Sequence, residues 1–155
     1  MRTRGEVSLS AFSFLFSEMV QYCQGRVDSI AGLEKRLEDM GFGIGQKFAE
    51  LVAVREKTSR RETRIVNMLQ YISNVVWKHL FNKAADNLEK SLENDDEYMI
   101  HEHAPITNTF VSVPADMGQL NCAAFLAGMI AGILYNARFE AKVTAHLVQE
   151  EVIPR

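Results

Sequence analysis

The run Leu120 to Tyr135, L-N-C-A-A-F-L-A-G-M-I-A-G-I-L-Y, limits what this chain can become more than any other stretch. From residue 122 to residue 135 no side chain is charged or carries an amide. A helix of that composition has almost no face to show to water, yet a membrane span needs roughly 18–20 apolar residues. The run is too short to cross a bilayer, so it reads as a helix enclosed by protein. Ala124, Ala127, Gly128, Ala131 and Gly132 lay a strip of small side chains along it. Such a strip lets a second backbone come close, as small-xxx-small pairs do. The most apolar segment is thus committed to packing, which points away from an enzyme.

The other segments must supply the enclosure. Residues 8–24 read as a helix with Ser8 or Ser10 as N-cap, and Leu9, Phe12, Phe16, Met19, Val20 and Cys23 recur at three- and four-residue steps. Phe14 and Leu15 fall off that stripe, so this helix is apolar on more than one side and needs two neighbours. Ser29 caps a second helix carrying Ile30, Leu33, Leu37 and Met40, and Gly41 is expected to stop it. The G-F-G-I-G of Gly41 to Gly45 reads as a tight corner into a third helix with Ile44, Phe48, Leu51 and Val52. A phosphate loop is the competing reading, but no strand precedes these glycines and no Gly-Lys-Ser/Thr follows. A fourth helix buries Ile65, Met68, Leu69, Ile72, Val75, Val76 and Leu80, with Trp77 at its edge and Phe81 near its end.

Residues 86–97 hold six acids against one lysine. They lack the D-x-D-x-D-G core of a calcium loop, so a solvated connector is expected. Tyr98 to His103 and Ile106 to Val113 read as a hairpin turned at Ala104-Pro105, and Glu140 to His146 as a further strand. His101 and His103 share a face and could pair on a metal, but His79 and His146 are distant and no thiol or carboxylate cluster converges on them; no metal site is expected. The class is α+β: a layer of helices packed on one face of a small twisted antiparallel sheet, with one helix between the strands. A single domain over residues 1–155, with a short N-terminal arm over 1–7, accommodates these elements.

Charge narrows the partners. The net charge is −3, but residues 1–64 carry 11 basic and 9 acidic side chains, whereas residues 65–155 carry 6 and 11. Within the first part, Arg55, Lys57, Arg60, Arg61 and Arg64 make a local basic patch. No aromatic residue is interleaved for base stacking, so nucleic acid is not the expected partner. An acidic protein or an anionic membrane surface suits the patch better. Cys23 and Cys122 both lie within apolar helical patterns and read as buried free thiols in a reducing compartment. Ser13, Ser17 and Glu18 interrupt any apolar leader near the start, so a soluble cytoplasmic protein is expected. Ser8 and Ser10 are the only exposed hydroxyl cluster foreseen, with no histidine placed to activate them; neither a catalytic residue nor a cofactor is expected.

Several motifs occur in a telling order: Glu6 to Tyr22, Met40 to Gly45, Arg60 to Arg64, Val76 to Asp86, Leu120 to Gly128 and Glu140 to His146. Together they resemble the small α/β core subunits of the TRAPP (transport protein particle) vesicle-tethering complex, most closely the subunit 5 type. The resemblance runs from Arg4 to Ala145. It implies dimerisation through helices, with an acylated sister subunit as the first partner and other small TRAPP subunits beyond it. Phe12, Phe16, Met19, Val20 and Cys23 are the residues expected at that interface. It also implies a non-catalytic role supporting nucleotide exchange on a Rab GTPase in ER-to-Golgi traffic, with peripheral membrane association at the cis-Golgi and endoplasmic reticulum. Two departures stand out. The sister subunit carries its acyl chain on a cysteine where this chain has Arg60-Arg61-Glu62-Thr63, so acylation is not carried over. Family members also continue past E-A-K-V-T-A-H into another apolar strand, whereas here Leu147-Val148 passes almost directly to Glu150-Glu151-Val152. A small module binding an apolar ligand such as an acyl chain is the alternative reading.

Overall fold

The computed structural model of the protein describes residues 5–57, 61–109, 111–113 and 115–148. Helix α1 (Leu9–Gln24) opens where Ser8 Oγ accepts the Ala11 N–H at 3.1 Å and closes at Gly25. Ser29 Oγ accepts the Gly32 N–H at 3.0 Å and opens α2 (Ile30–Glu56). That helix runs unbroken for 27 residues. The corner expected at Gly41 to Gly45 does not exist, and the expected second and third helices are one.

Helix α3 (Ile65–Tyr71) passes through a wide π turn, Ile72–Val76, into α4 (Trp77–Phe81). At this turn the Ser73 carbonyl accepts the Ala85 N–H at 2.8 Å, while Ser73 Oγ donates to the Leu69 carbonyl at 2.9 Å. A π turn spaces the ladder more widely than an α turn, and here the chain leaving α4 is tied back onto the helix body. Strands β1 (Asn87–Lys90) and β2 (Tyr98–His101) pair antiparallel, with Leu88 opposite Ile100 and Lys90 opposite Tyr98. A four-residue helix α5 (Ile106–Thr109), a 3-10 turn (Ala115–Met117) and α6 (Ala124–Asn136) follow.

The class is α+β as expected, with helices packed against a small antiparallel sheet. The strands sit elsewhere, however. The hairpin joins 87–90 to 98–101, so part of the expected acidic connector is a strand. Ile106 to Thr109 is helical rather than extended: the Pro105 carbonyl takes both the Asn108 N–H and the Thr109 hydroxyl at 3.0 Å, and Thr107 is fully buried. Local hydrogen bonding and burial override the β-branched preference there. The strand expected over residues 140–146 is not formed: the segment belongs to no helix or strand and pairs with none among the described residues. Among the described residues the sheet therefore has two strands, and α6 follows both.

Two apolar clusters form the interior. Phe16, Val20, Cys23, Leu33, Leu37, Leu120, Cys122, Phe125, Leu126 and Met129 make the first. Val52, Met68, Leu69, Ile72, Val76, Trp77, Ile130, Ile133 and Leu134 make the second, and Leu88, Tyr98 and Ile100 of the sheet close over it. The two halves of α6 belong to different clusters, as do the two ends of α2. Between them the helices meet through glycines. A Cβ at Gly41 or Gly45 would lie closer than 3.0 Å to the carbonyl oxygen of Phe125 or Met129. A Cβ at Gly128 or Gly132 would meet the carbonyl of Glu38 or Phe42 in the same way. Each glycine costs a helix roughly 1 kcal/mol relative to alanine. Backbone-to-backbone packing with Cα–H···O contacts along both helices offsets that cost. Asn121 completes the junction: its N–H donates to Glu34 Oε1 at 2.8 Å, and its Oδ1 accepts the Ala123 N–H at 3.1 Å to start α6.

Candidate interaction surface

Helix α1 divides its apolar residues between two environments. Phe16 is 2% exposed, stacking on Phe12 with ring centroids 5.7 Å apart and meeting Phe125 edge-on at 5.3 Å. Val20 and Cys23 are buried beside it, and the Cys23 thiol lies 3.4 Å from Met40 Sδ. Phe12 and Met19 are half-buried against the same cluster. Of the five residues expected to face a partner, Phe16, Val20 and Cys23 therefore belong to the chain's own core, and Phe12 and Met19 lie at its margin.

The exposed part of α1 is different. Leu15 is 63% exposed and Tyr22 54%, seven residues apart on one flank. Phe14 is 75% exposed about a quarter turn further round, opposite the core stripe and among Ser10, Ser17 and Gln21. Arg26 fixes Tyr22: its guanidinium carbon sits 3.6 Å from the ring centroid, and Nη1 donates to the Tyr22 carbonyl at 3.1 Å. A cation held on the ring restricts its rotamers, so an exposed aromatic is presented in one orientation. Ile44, Leu51 and Val54 of α2 are exposed as well. The period of three and four residues had singled out Phe14 and Leu15 as off-stripe; nothing in it pointed to Tyr22.

The basic patch gathers at the far end of α2. Arg55 lies in the last helical turn, and Lys57 caps the helix in the left-handed region with φ 53°. Arg61 donates from Nη2 to the Ala137 carbonyl at 3.1 Å, tying the patch to the end of α6. Arg64 is exposed just before α3. Arg60 lies outside the described residues.

One cavity of about 220 Å³ opens between Leu9, Phe81, Ile106 and Leu126, with Glu102 and Lys83 on its wall. Glu102 is satisfied: Trp77 donates from Nε1 to Oε2 at 2.9 Å, and Lys83 pairs with Oε1. That pairing holds the Lys83 ammonium above its ordinary pKa. Trp77, expected at the helix edge, is instead buried to reach this carboxylate. Small-molecule sites occupy about 300–1,000 Å³, and this one is below that range. No group of three or more His, Cys, Asp or Glu among the described residues is placed to hold a metal, and His101 instead lies 3.3 Å from Glu89. Burial pushes the Cys122 thiol up to about 11, with the nearby Glu34 carboxylate adding to the shift. Such a thiol is inert at neutral pH.

The comparisons with known proteins agree in direction. The transport protein particle (TRAPP) component model matches residues 12–155. The chain is 54% identical over 148 residues to trafficking protein particle complex subunit 5 of Dictyostelium discoideum, covering 96% of this chain and 80% of that protein. It is 46% identical over 145 residues to the Homo sapiens protein of the same name, covering 94% and 77%. In fold it is similar to trafficking protein particle complex subunit 3 of Naegleria fowleri, solved covalently bound to palmitic acid. The TM-score is 0.72 at 20% identity, over 83% of this chain and 79% of that one. A helical layer built around glycine-packed α2 and α6, a matching model over nearly the whole length and relatives near half identity converge: the chain belongs to the TRAPP component family.

Proposed function

We propose that this chain is a non-catalytic structural subunit of the TRAPP vesicle-tethering complex, docking on a sister subunit through the outer flank of α1. The observation that carries the reading is the exposure of Leu15 and Tyr22, the latter held in place by Arg26, on a helix whose adjacent stripe is already used by the core. Aromatic anchors presented in one orientation cost little entropy on binding and are enriched among interface hot spots. Phe12 and Met19 extend that flank where the core reaches the surface. The finer role is to position neighbouring subunits for nucleotide exchange on a Rab GTPase at the cis-Golgi and endoplasmic reticulum. Arg55, Lys57, Arg61 and Arg64 supply electrostatic steering toward an acidic protein or membrane surface.

The alternative, an acyl-binding module, has less support in this chain. The cavity beside Phe81 and Leu126 is small. A larger hollow of about 340 Å³ beside Ser29 is lined by Gln24, Asp28 and Asp116 and so is too polar for an acyl chain. Both cysteines are buried in the core rather than on the wall of either. Native mass spectrometry of the purified chain mixed with the sister small subunit tests the reading. A one-to-one complex that Leu15→Glu abolishes is expected. A complex indifferent to Leu15→Glu overturns the docking flank, and an added mass of fatty acid on the isolated chain favours the alternative.

A further inference from the structure

The corner between α1 and α2 holds a hollow of about 340 Å³, within the roughly 300–1,000 Å³ of small-molecule sites. The last residue of α1, the first residues of α2 and the 3-10 turn ahead of α6 meet on its wall. Its polar groups are of one kind. Asp28 and Asp116 line it, and neither has an ion-pair or hydrogen-bond partner among the described residues. Gln24 donates from Nε2 to Met117 Sδ at 3.3 Å, which leaves its amide oxygen to accept. Ser29 Oγ is taken by the Gly32 N–H at 3.0 Å. The lining is therefore rich in acceptors and holds no cation among the described residues. Val27, Ile30 and Met117 are half-buried and give the hollow an apolar side.

Charge and shape decide what fits. The start of α2 carries roughly half a positive charge, which alone would draw an anion. Two full negative charges outweigh it, so an anion is repelled. A hard metal ion needs several oxygen ligands, and no group of three or more His, Cys, Asp or Glu among the described residues is placed to supply them. A guanidinium suits both sides of the hollow: its coplanar N–H donors span separated acceptors, and its aliphatic stem covers the apolar wall. A lysine ammonium is more strongly hydrated and offers its donors from one point. Cations nearby in the chain are committed elsewhere. Arg26 lies on the Tyr22 ring, and Lys35 pairs with Asp39 at 2.9 Å.

We infer that this hollow is a socket for an arginine side chain of a neighbouring subunit, whose adjoining apolar surface covers Phe14. This rests on the structural-subunit reading and deepens it by naming a second contact and the residue that makes it. Phe14, Ser17, Gln21 and Gln24 follow one another at three- and four-residue steps along the outer face of α1. That row leads over about 15 Å from an exposed aromatic ring to the rim of the hollow, so one molecule seated on Phe14 reaches both.

Two measurements on the full chain test the inference, and failure of either overturns it. In the first, NMR follows the Met117 methyl group while N-acetylarginine amide is added at constant ionic strength. A saturable shift is expected, smaller with N-acetyllysine amide and absent in Asp28→Asn/Asp116→Asn. No saturable shift, or the same shift in the variant, overturns the socket. In the second, affinity for co-purified small TRAPP subunits is measured at low and high salt. The variant melts as the parent chain does, because both side chains are exposed, yet binds at least about fivefold more weakly at low salt. Asp116→Asn alone, on a turn outside the long helices, repeats the test should the double variant melt lower. A complex of unchanged affinity and salt dependence overturns the inference and leaves the subunit reading standing. Failure of the parent chain to form any complex overturns both.

Discussion

Helices α1 and α6 are both rich in apolar residues, and they end up in opposite circumstances. α6 buries Phe125 through Ile130 and then Gly132, Ile133 and Leu134, leaving Tyr135 and Asn136 as its exposed residues. α1 buries three residues and leaves Phe14, Leu15 and Tyr22 in solvent. Side-chain size along the sequence separates them. Where α6 must pass α2 it has glycine, so the chain can close on it from every side. α1 has bulky residues on two sides, and the described residues cover only one. Small residues mark a helix that the fold can enclose, and large apolar residues off the main stripe mark one that keeps apolar surface exposed.

The largest effect that tests this contrast comes from the glycine seam. Gly128→Leu drives a side chain into the Glu38 carbonyl, a backbone atom that cannot step aside. Overpacking of this kind costs roughly 1–3 kcal/mol and occasionally more, and a backbone clash belongs at the upper end. At about 2–4 °C per kcal/mol for a chain of this size, the melting temperature falls by about 6–12 °C or the protein fails to fold. An unchanged melting curve would falsify the seam. The matched control is Gly43→Ala, where an added Cβ meets nothing within 4 Å. It raises stability by up to about 1 kcal/mol through helix propensity alone.

Within α1 the contrast predicts a split between adjacent residues. Phe16→Glu buries an uncompensated carboxylate between Phe12 and Phe125, so circular dichroism of the isolated chain shows loss of folding. Leu15→Glu leaves the isolated chain's melting temperature within about 1–2 °C, since exposed substitutions stay within about ±0.5 kcal/mol, yet weakens subunit binding by roughly 30-fold or more, as loss of a hot spot does. If both variants affect only folding, or both only binding, the division of α1 is wrong.

An alkaline titration reports on the first core cluster. The folded-state pKa of Cys122 is raised by burial to about 11, so the folded state holds this proton more tightly than the unfolded chain does. That stabilisation is present in full below the ordinary thiol pKa and is lost as pH rises toward 11. Chemical denaturation between pH 8 and pH 11 shows the decline, and Cys122→Ala flattens the part due to this group. A slope identical in both proteins assigns the alkaline loss elsewhere. The smallest effect belongs to the basic patch: neutralising Arg55, Lys57 and Arg64 slows association with an acidic partner by a few-fold at low salt, and the difference fades at high salt.

Much of the helical layer was legible because capping and amphipathic period are local. Ser8 and Ser29 start their helices as their spacing implies, and the stripe of α1 lies on the core. The glycines of α2 were not legible locally, since their compensation comes from a helix more than eighty residues later. The signal was present as the same four-residue spacing in Gly41/Gly45 and Gly128/Gly132. The strand β1 escaped because only Leu88 of its four residues turns toward the core, too short a pattern for a period to emerge amid the acids. The alternation of residues 140–146 was readable, but alternation does not name a pairing partner. On α1 the stripe found the core face; that the chain would leave the other flank uncovered depends on the placement of every other helix.

The continuity of α2 has a mechanical consequence. Twenty-seven residues at 1.5 Å each make a strut about 40 Å long, with the α1 corner at one end and the cationic cluster at the other. A helix of that length, clamped along its middle by glycines, bends little, so the two ends keep a set separation. Electrostatic influence decays over about 8 Å at physiological ionic strength, far short of that distance. If the α1 flank and the cationic cluster each hold a partner as proposed, the two contacts are electrostatically independent and the subunit is a bivalent crosslinker: releasing one leaves the other intact but forfeits the high local concentration that makes rebinding fast.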